Sequence, residues 1–207
     1  MPKSPTIFLV RHGETEWNRA RRYQGWSDSP LTPHGVAQAE AVGRRLNELP
    51  EAADAEIIAS PLGRASRTAA IIAECLGRRG PMRVDERLRE ISLGSWDGRD
   101  RRDIRSLMGA TFAEYEWYFA TPDGERYDGF AGRIGEFLAE LGDAPVIVVC
   151  HGVVTRVLRG LYAGMPRAAA LRLAVPQDRI FRLADGRIDE IAVDPVRAAS
   201  AGGQVSA

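Results

Sequence analysis

Five side chains that could handle a phosphoryl group follow apolar runs in this sequence. Arg11-His12-Gly13 comes directly after Ile7 to Val10, Arg64 just beyond Glu56-Ile57-Ile58-Ala59, and His151-Gly152 directly after Val146 to Cys150. Glu90 follows the weak strand signal of Arg83-Val84. Arginine offers a planar fork of donors that suits an oxyanion. An imidazole nitrogen can serve as nucleophile, base or metal ligand. Gly13 lets the backbone come close to a bound group. Two arginines, two imidazoles and one carboxyl would select a multiply charged oxyanion, phosphate foremost, and phosphoryl transfer needs the positioning and charge stabilisation that they supply. Flanking arginines disfavour imidazolium and so keep His12 free to attack. Glu90 beside a phosphate dianion would hold its proton, give it to a departing alkoxide, and later take one from the attacking water. His151 would stabilise the transferring oxygens.

The elements that must position these groups read as alternating strands and helices. Ile7 to Val10 is a buried strand by pattern, and residues 19–31 form a polar, aromatic, turn-rich loop. Thr32-Pro33 reads as N-cap and first helical residue, opening a helix to about Leu49 with Val36, Ala39, Val42, Gly43 and Leu46 inward. His34, in its first turn, is expected at the surface. Strand 56–59 leads into a helix ending near Leu76, on which Arg64 and Arg67 share a face. Arg67 is read as structural. Residues 99–119 form one or two helices, basic first and then aromatic, and 127–141 a helix with Phe130, Ile134, Phe137 and Leu138 at core spacing. Val146 to Cys150 is apolar throughout and belongs in the middle of a sheet, with a helix after it to about Leu161. Residues 180–183 and 188–193 flank an Asp-Gly turn and form a hairpin. Ligands of open α/β sheets bind beyond the carboxyl ends of the strands, where Arg11, His12 and His151 fall.

At 207 residues the chain suits one domain with a substantial core. Its 28 basic and 28 acidic side chains balance, which gives no general case for nucleic acid or a membrane surface. Lys3 is the one lysine. No secretory leader or bilayer-spanning run is evident, and two cysteines, Cys75 and Cys150, fit a reduced, cytoplasmic protein. Three histidines without paired-ligand spacing argue against a dedicated transition-metal site.

The string Arg11-His12-Gly13-Glu14-Thr15, with Trp17-Asn18 after it, closely resembles the signature of the histidine phosphatase superfamily, of phosphoglycerate mutase-like fold. Ser60, Leu62, Arg64, Ala65 and Thr68 are similar to a second motif of that family, Glu90 with Gly94, Trp96 and Gly98 to a third, and His151-Gly152 to a fourth. The resemblance covers nearly the whole chain. It implies a three-layer α/β/α sandwich with a mostly parallel central sheet and a short helical lid at about 99–127. It also implies one domain over 1–195 and a flexible tail at 196–207. In the family His12 would carry the phosphoryl group, Glu90 would be general acid and base, and His151 would complete the catalytic set. Arg11, Asn18, Arg64 and Gly152 would bind the phosphate, and Gln24 and Gly25 are candidates for substrate contact.

The function that follows is metal-independent hydrolysis of small phosphomonoesters through a phosphohistidine, with no cofactor. The partner is a small phosphorylated substrate, not nucleic acid or membrane, and a homodimer is compatible with the sequence. The first alternative is a cofactor-dependent phosphoglycerate mutase, which resembles this chain but carries a longer insertion with paired arginines and a proline-rich run. Cys150 and Arg156 have the spacing of cysteine-based phosphatases, although the intervening stretch holds one glycine where the backbone must curl round the anion. A catalytically silent phospho-ligand binding module is the non-enzymatic alternative.

Overall fold

Residues 5–109 and 115–194 are described in the computed structural model. β1 (Ile7–Arg11) pairs in parallel with β4 (Val146–Cys150), and β4 in parallel with β2 (Glu56–Ala59). β3 (Arg83–Val84) extends the sheet beyond β2. On the other side β5 (Arg179–Ala184) runs antiparallel to β1, and β6 (Arg187–Ala192) closes the order β3-β2-β4-β1-β5-β6. The turn between β5 and β6 is Asp185-Gly186, both at positive φ, as a two-residue hairpin of this twist requires. The fold is the expected α/β class.

Strand periodicity sorts the core into two layers. Ile7, Leu9, Val146, Val148 and Cys150 face one side and pack with Phe130, Ile134 and Phe137 of α5 (Tyr127–Ala139) and Val157 and Leu158 of α6 (Gly152–Tyr162). Phe8, Val10, Ile147 and Val149 face the other and pack with Val42 and Leu46 of α2 (Pro33–Asn47) and Ala69 and Ile72 of α3 (Gly63–Cys75). β4 is buried at every position because both faces are covered. Thr32 caps α2 by accepting from Gly35 N–H at 3.0 Å, with Pro33 in the first turn.

Two short helices escape the periodicity. α1 (Glu16–Arg19) is a single turn held by a reciprocal capping box between Thr15 and Asn18, and α7 (Arg167–Leu171) follows α6. In the segment expected to form a lid, α4 (Arg101–Met108) buries Ile104, and a 3-10 turn over Glu116–Phe119 buries Trp117 and Phe119. Phe112 and the tail expected at 196–207 lie outside the described residues. No described helix is long and apolar enough to cross a membrane.

The loop after β1 is set against the first turn of α2 by a close approach of two glycines. A Cβ on Gly13 would stand 2.3 Å from Gly35 O, and one on Gly35 would stand 2.0 Å from Glu14 O. Backbone lies on both sides, so neither methyl fits without moving the His12 loop. Gly35→Ala is therefore expected to lower stability by about 1–3 kcal/mol, the usual penalty of overpacking. Gly132→Ala, on α5 with nothing within 4 Å, should be neutral or slightly stabilising. Urea denaturation midpoints check the pair. Equal midpoints would mean the contact is not a constraint.

Candidate active site

Strand register sets the site. Arg11 pairs with Cys150 across β1 and β4, and the next step, His12 N–H to Cys150 O, is 3.0 Å. The residues that follow each strand, His12 and His151, therefore emerge side by side, with ring centroids 5.3 Å apart. β2 ends one strand over, where Ser60 N–H donates to Val149 O at 3.0 Å and Ser60 Oγ stands 2.7 Å from His151 Nε2.

A hydrogen bond to a carbonyl fixes the tautomer of His12, and a serine hydroxyl holds His151. His12 Nδ1 lies 2.8 Å from Gly13 O, and a carbonyl only accepts, so Nδ1 carries the proton and Nε2 keeps its lone pair. Ser60 Oγ accepts from Leu62 N–H at 3.3 Å and has its own proton to offer His151 Nε2. With Ser60 as the donor, His151 Nδ1 carries the ring proton; this buried nitrogen has no protein partner. Burial first, then Arg64, holds both imidazoles well below the usual histidine range, with Arg11 adding to the effect. Both effects favour the neutral ring.

Arg11 and Arg64 surround the pair. Arg11 Nη1 donates to Val175 O at 2.6 Å, while its Nε is buried without a partner. Arg64 spends both terminal nitrogens on the 25–28 loop, Nη2 to Gly25 O at 2.8 Å and Nη1 to Ser27 O and Asp28 Oδ1 at 3.0 Å, and its Nε is likewise unpartnered. Arg11 Nε and Arg64 Nε are thus buried donors, and His151 Nδ1 a buried ring nitrogen, without protein partners beside His12. Such donors are rare unless a ligand meets them. Gly152, at the start of α6, supports that reading. A Cβ there would fill the space 3.7 Å from both Arg11 Nε and Glu90 Oε2, and no positive φ calls for glycine.

Glu90 is buried, and its Oε2 accepts from Val153 N–H at 3.1 Å and its Oε1 from Ile91 N–H at 3.0 Å. Burial raises its pKa, against those backbone bonds and the charges of Arg64 and Arg11. Arg133 fixes its main chain, reaching Arg89 O at 2.8 Å and Glu90 O at 3.2 Å, and Trp26 Nε1 donates to Glu90 O at 2.8 Å.

The other expected residues separate. Asn18 and Gln24 line the same cavity of about 630 Å³ as Arg11, His12 and Glu90. Asn18 Oδ1 is taken by Thr15 N–H and Gln177, and the Gln24 amide is bonded to Thr15 and Ser29. Gly25 sits behind the wall, its N–H on Asp97 at 2.6 Å and no room for a Cβ between Ile91 and Leu93. His34 is exposed, and Arg67 makes a surface pair with Glu74. Cys150 faces the core, and burial pushes its thiol up to about 12. Arg156, its partner in the cysteine-phosphatase spacing, donates instead to Leu173 O and Tyr118, so no thiolate loop forms.

Sequence reasoning missed Ser60 as the anchor of His151, Arg133 as the clamp on Glu90, and the strap at 173–177. Leu173, Ala174 and Val175 offer consecutive carbonyls to Arg156, Arg159 and Arg11, and Gln177 Nε2 donates to His12 O at 2.9 Å. Ser60 stood in a matched motif. Gln177 and Arg133 carried no local signal. Among the described residues no cluster of three His, Cys, Asp or Glu side chains could hold a metal ion.

Comparison with known proteins agrees with this geometry. The family profile "Histidine phosphatase superfamily (branch 1)" matches residues 7–185. A protein of Photorhabdus laumondii named "Probable phosphoglycerate mutase GpmB" is 37% identical over 209 residues, covering 91% of this chain and 92% of that one. Among solved structures, Bacillus stearothermophilus YhfR superposes with a TM-score of 0.74 at 34% identity, covering 94% of this chain and 98% of that one. A mycobacterial glucosyl-3-phosphoglycerate phosphatase superposes at 0.77 with 30% identity, covering 91% and 99%.

Neutral buried imidazoles have a thermodynamic consequence. Unfolded histidines take up protons near pH 6.5, whereas His12 and His151 in the fold do so only well below it. The unfolded state binds more protons in that interval, so stability should be full above about pH 6.5 and fall as the pH drops through the acid range. NMR titration of the ring protons should show these two histidines unshifted through about pH 6.5. Ordinary midpoints for both would contradict the assigned burial and charge environment.

Proposed function

Because the chain belongs to branch 1 of the histidine phosphatase superfamily, we propose that it hydrolyses small phosphomonoesters through a phosphohistidine on His12, without metal or cofactor. The observation that carries the reading is His12, its Nδ1 on the Gly13 carbonyl, amid the unpartnered buried nitrogens of Arg11, Arg64 and His151. In this reading the phosphoryl oxygens take those three N–H groups, and Asn18 and the Gly152 backbone border the same pocket. His12 Nε2 attacks phosphorus and the ester P–O bond breaks in line. Glu90 gives its proton to the leaving oxygen. Water then attacks the phosphohistidine, Glu90 takes its proton, and inorganic phosphate leaves with His12 restored. Arginines and N–H dipoles stabilise the charge that spreads over the transferring oxygens.

Hydrolysis is favoured over phosphoglycerate mutase chemistry although relatives bear the mutase name. A mutase must keep water from the phosphohistidine. The segment about 99–127, proposed here as a lid, lacks the long proline-rich insertion expected of one. The solved relative at 30% identity is named as a phosphatase.

A phosphomonoester panel run with EDTA tests the reading, with turnover expected throughout. Rapid primer-dependent interconversion of 2- and 3-phosphoglycerate would replace it with the mutase. The mechanism is probed by Glu90→Gln. An alkyl phosphate releases a strongly basic oxygen, so the variant should slow its phosphoenzyme formation by about 10²–10⁴. A nitrophenyl ester, whose phenolate leaves readily, should be slowed far less. Rapid-quench measurement isolates this step. Equal slowing for both would place the general acid elsewhere.

A further inference from the structure

The direction of the Arg64 Nε–H is set by a loop. A guanidinium is planar, so holding its two terminal nitrogens fixes where the third N–H points. Nη2 is held by Gly25 O at 2.8 Å, and Nη1 by Ser27 O and Asp28 Oδ1 at 3.0 Å. Asp28 is tied back to α3 itself, since its carboxylate also accepts from the Arg64 main-chain N–H at 3.2 Å. Gly25 and Ser27 have an anchor outside α3, and it is Asp97. Its Oδ1 accepts from Gly25 N–H and its Oδ2 from Ser27 N–H, each at 2.6 Å. The same two residues are thus held through N–H by a carboxylate and through C=O by the Arg64 guanidinium. Short bonds to an ionised acceptor are the strong, charge-assisted kind. Asp97 makes no ion pair among the described residues, so its two oxygens serve this loop.

The base under Asp97 is well tied. It follows a 3-10 turn over Gly94–Trp96 whose Trp96 side chain is buried, and Asp97 N–H donates to Gly94 O at 3.0 Å. The next residue, Gly98, at φ +79°, donates to Tyr23 O at 2.9 Å, two residues before Gly25. Asp97 stands between Trp96 and Gly98 of the third sequence motif, at a position that the motif leaves open. We propose that Asp97 is a positioning residue for the phosphoryl pocket. Through Gly25 and Ser27 it sets the Arg64 fork, and with it the aim of the Arg64 Nε–H at an oxyanion. The proposal rests on the reading of Arg64 as a phosphate ligand. It adds a residue that acts only through Arg64 and has no contact with the reacting atoms.

Binding of inorganic phosphate to the full chain, measured by calorimetry, tests this without turnover. Asp97→Asn keeps the size of the side chain but presents one oxygen and one NH2, so one of the two N–H groups loses its acceptor. Phosphate should bind Asp97→Asn about 10- to 100-fold more weakly than wild type, the worth of a charge-assisted hydrogen bond. Arg64→Lys keeps the charge and removes the fork. In that background Asp97→Asn should cost no more than about twofold further, because the group it positions is gone. If Asp97 only supports the fold, the urea midpoint falls and phosphate affinity stands. If its loss loosens the pocket generally, binding weakens by the same factor in both backgrounds. Either result overturns the proposal. Should Asp97→Asn not fold, Asp97→Ser, too short to reach both N–H groups, enters the same cycle. Should Arg64→Lys not fold, the Arg64 Nε–H resonance replaces the cycle. It should shift on addition of phosphate in wild type and not in the Asp97 variant, and equal shifts overturn the proposal. Phosphate binding that is the same in wild type and variant removes Asp97 and leaves the phosphatase reading in place. A wild type that binds no phosphate overturns that reading and the proposal with it.

Discussion

The hydrogen bond from His12 N–H to Cys150 O, at the end of the β1–β4 ladder, is the constraint on which the candidate site depends. It extends the parallel register by one step past Arg11 and Cys150, so two strands distant in sequence release their histidines at the same height. A slip of one residue would send every side chain of β1 to the opposite face, exchanging Ile7 and Leu9 with Phe8 and Val10 in the two core layers. The hydrophobic pattern thus enforces the geometry of the chemistry. β2 joins through Ser60, whose backbone bonds Val149 and whose hydroxyl orients His151.

Around that frame the electrostatics are deliberately unbalanced. Arg64 is anchored to the 25–28 loop and Arg11 to the 173–177 strap, which leaves each with one inward Nε. Their charges, with burial, keep His12 and His151 neutral, and burial of Glu90 favours its protonated form. These shifts run in the direction that the proposed roles of phosphoryl acceptor and proton donor require. The arrangement costs stability, because buried donors are left without protein partners. In the proposed reaction a phosphate dianion would meet these same donors.

Much of this was legible in the sequence because the signals were local. An unbroken apolar run such as Val146 to Cys150 has few options besides a central strand, and the polar residues just past such runs fall at the ligand-binding edge. Thr32-Pro33 marked the start of α2 to the residue. The single-turn α1 and the five-residue α7 were invisible to periodicity, since neither is long enough to show a repeat. The strand order could not be read either, since it depends on pairings between distant segments. Among site residues, His12, Arg64, Glu90 and His151 carried motif context. Gln177 and Arg133 did not, because what makes them matter is a partner far along the chain, His12 for the one and the Glu90 backbone for the other. Gly25 looked like a candidate contact and proved to be a close-packed support behind the pocket.

The central claim is that His12 Nε2 is the phosphoryl acceptor, and the most direct measurement is the site and bond type of the trapped phosphoenzyme. Wild-type protein is quenched in alkali during turnover of a labelled phosphomonoester, digested, and the labelled peptide sequenced. The account predicts an acid-labile, alkali-stable phosphate on Nε2 of His12, absent from His12→Ala and still present in Cys150→Ser. A label on Cys150, or one on His12 through Nδ1, would contradict it.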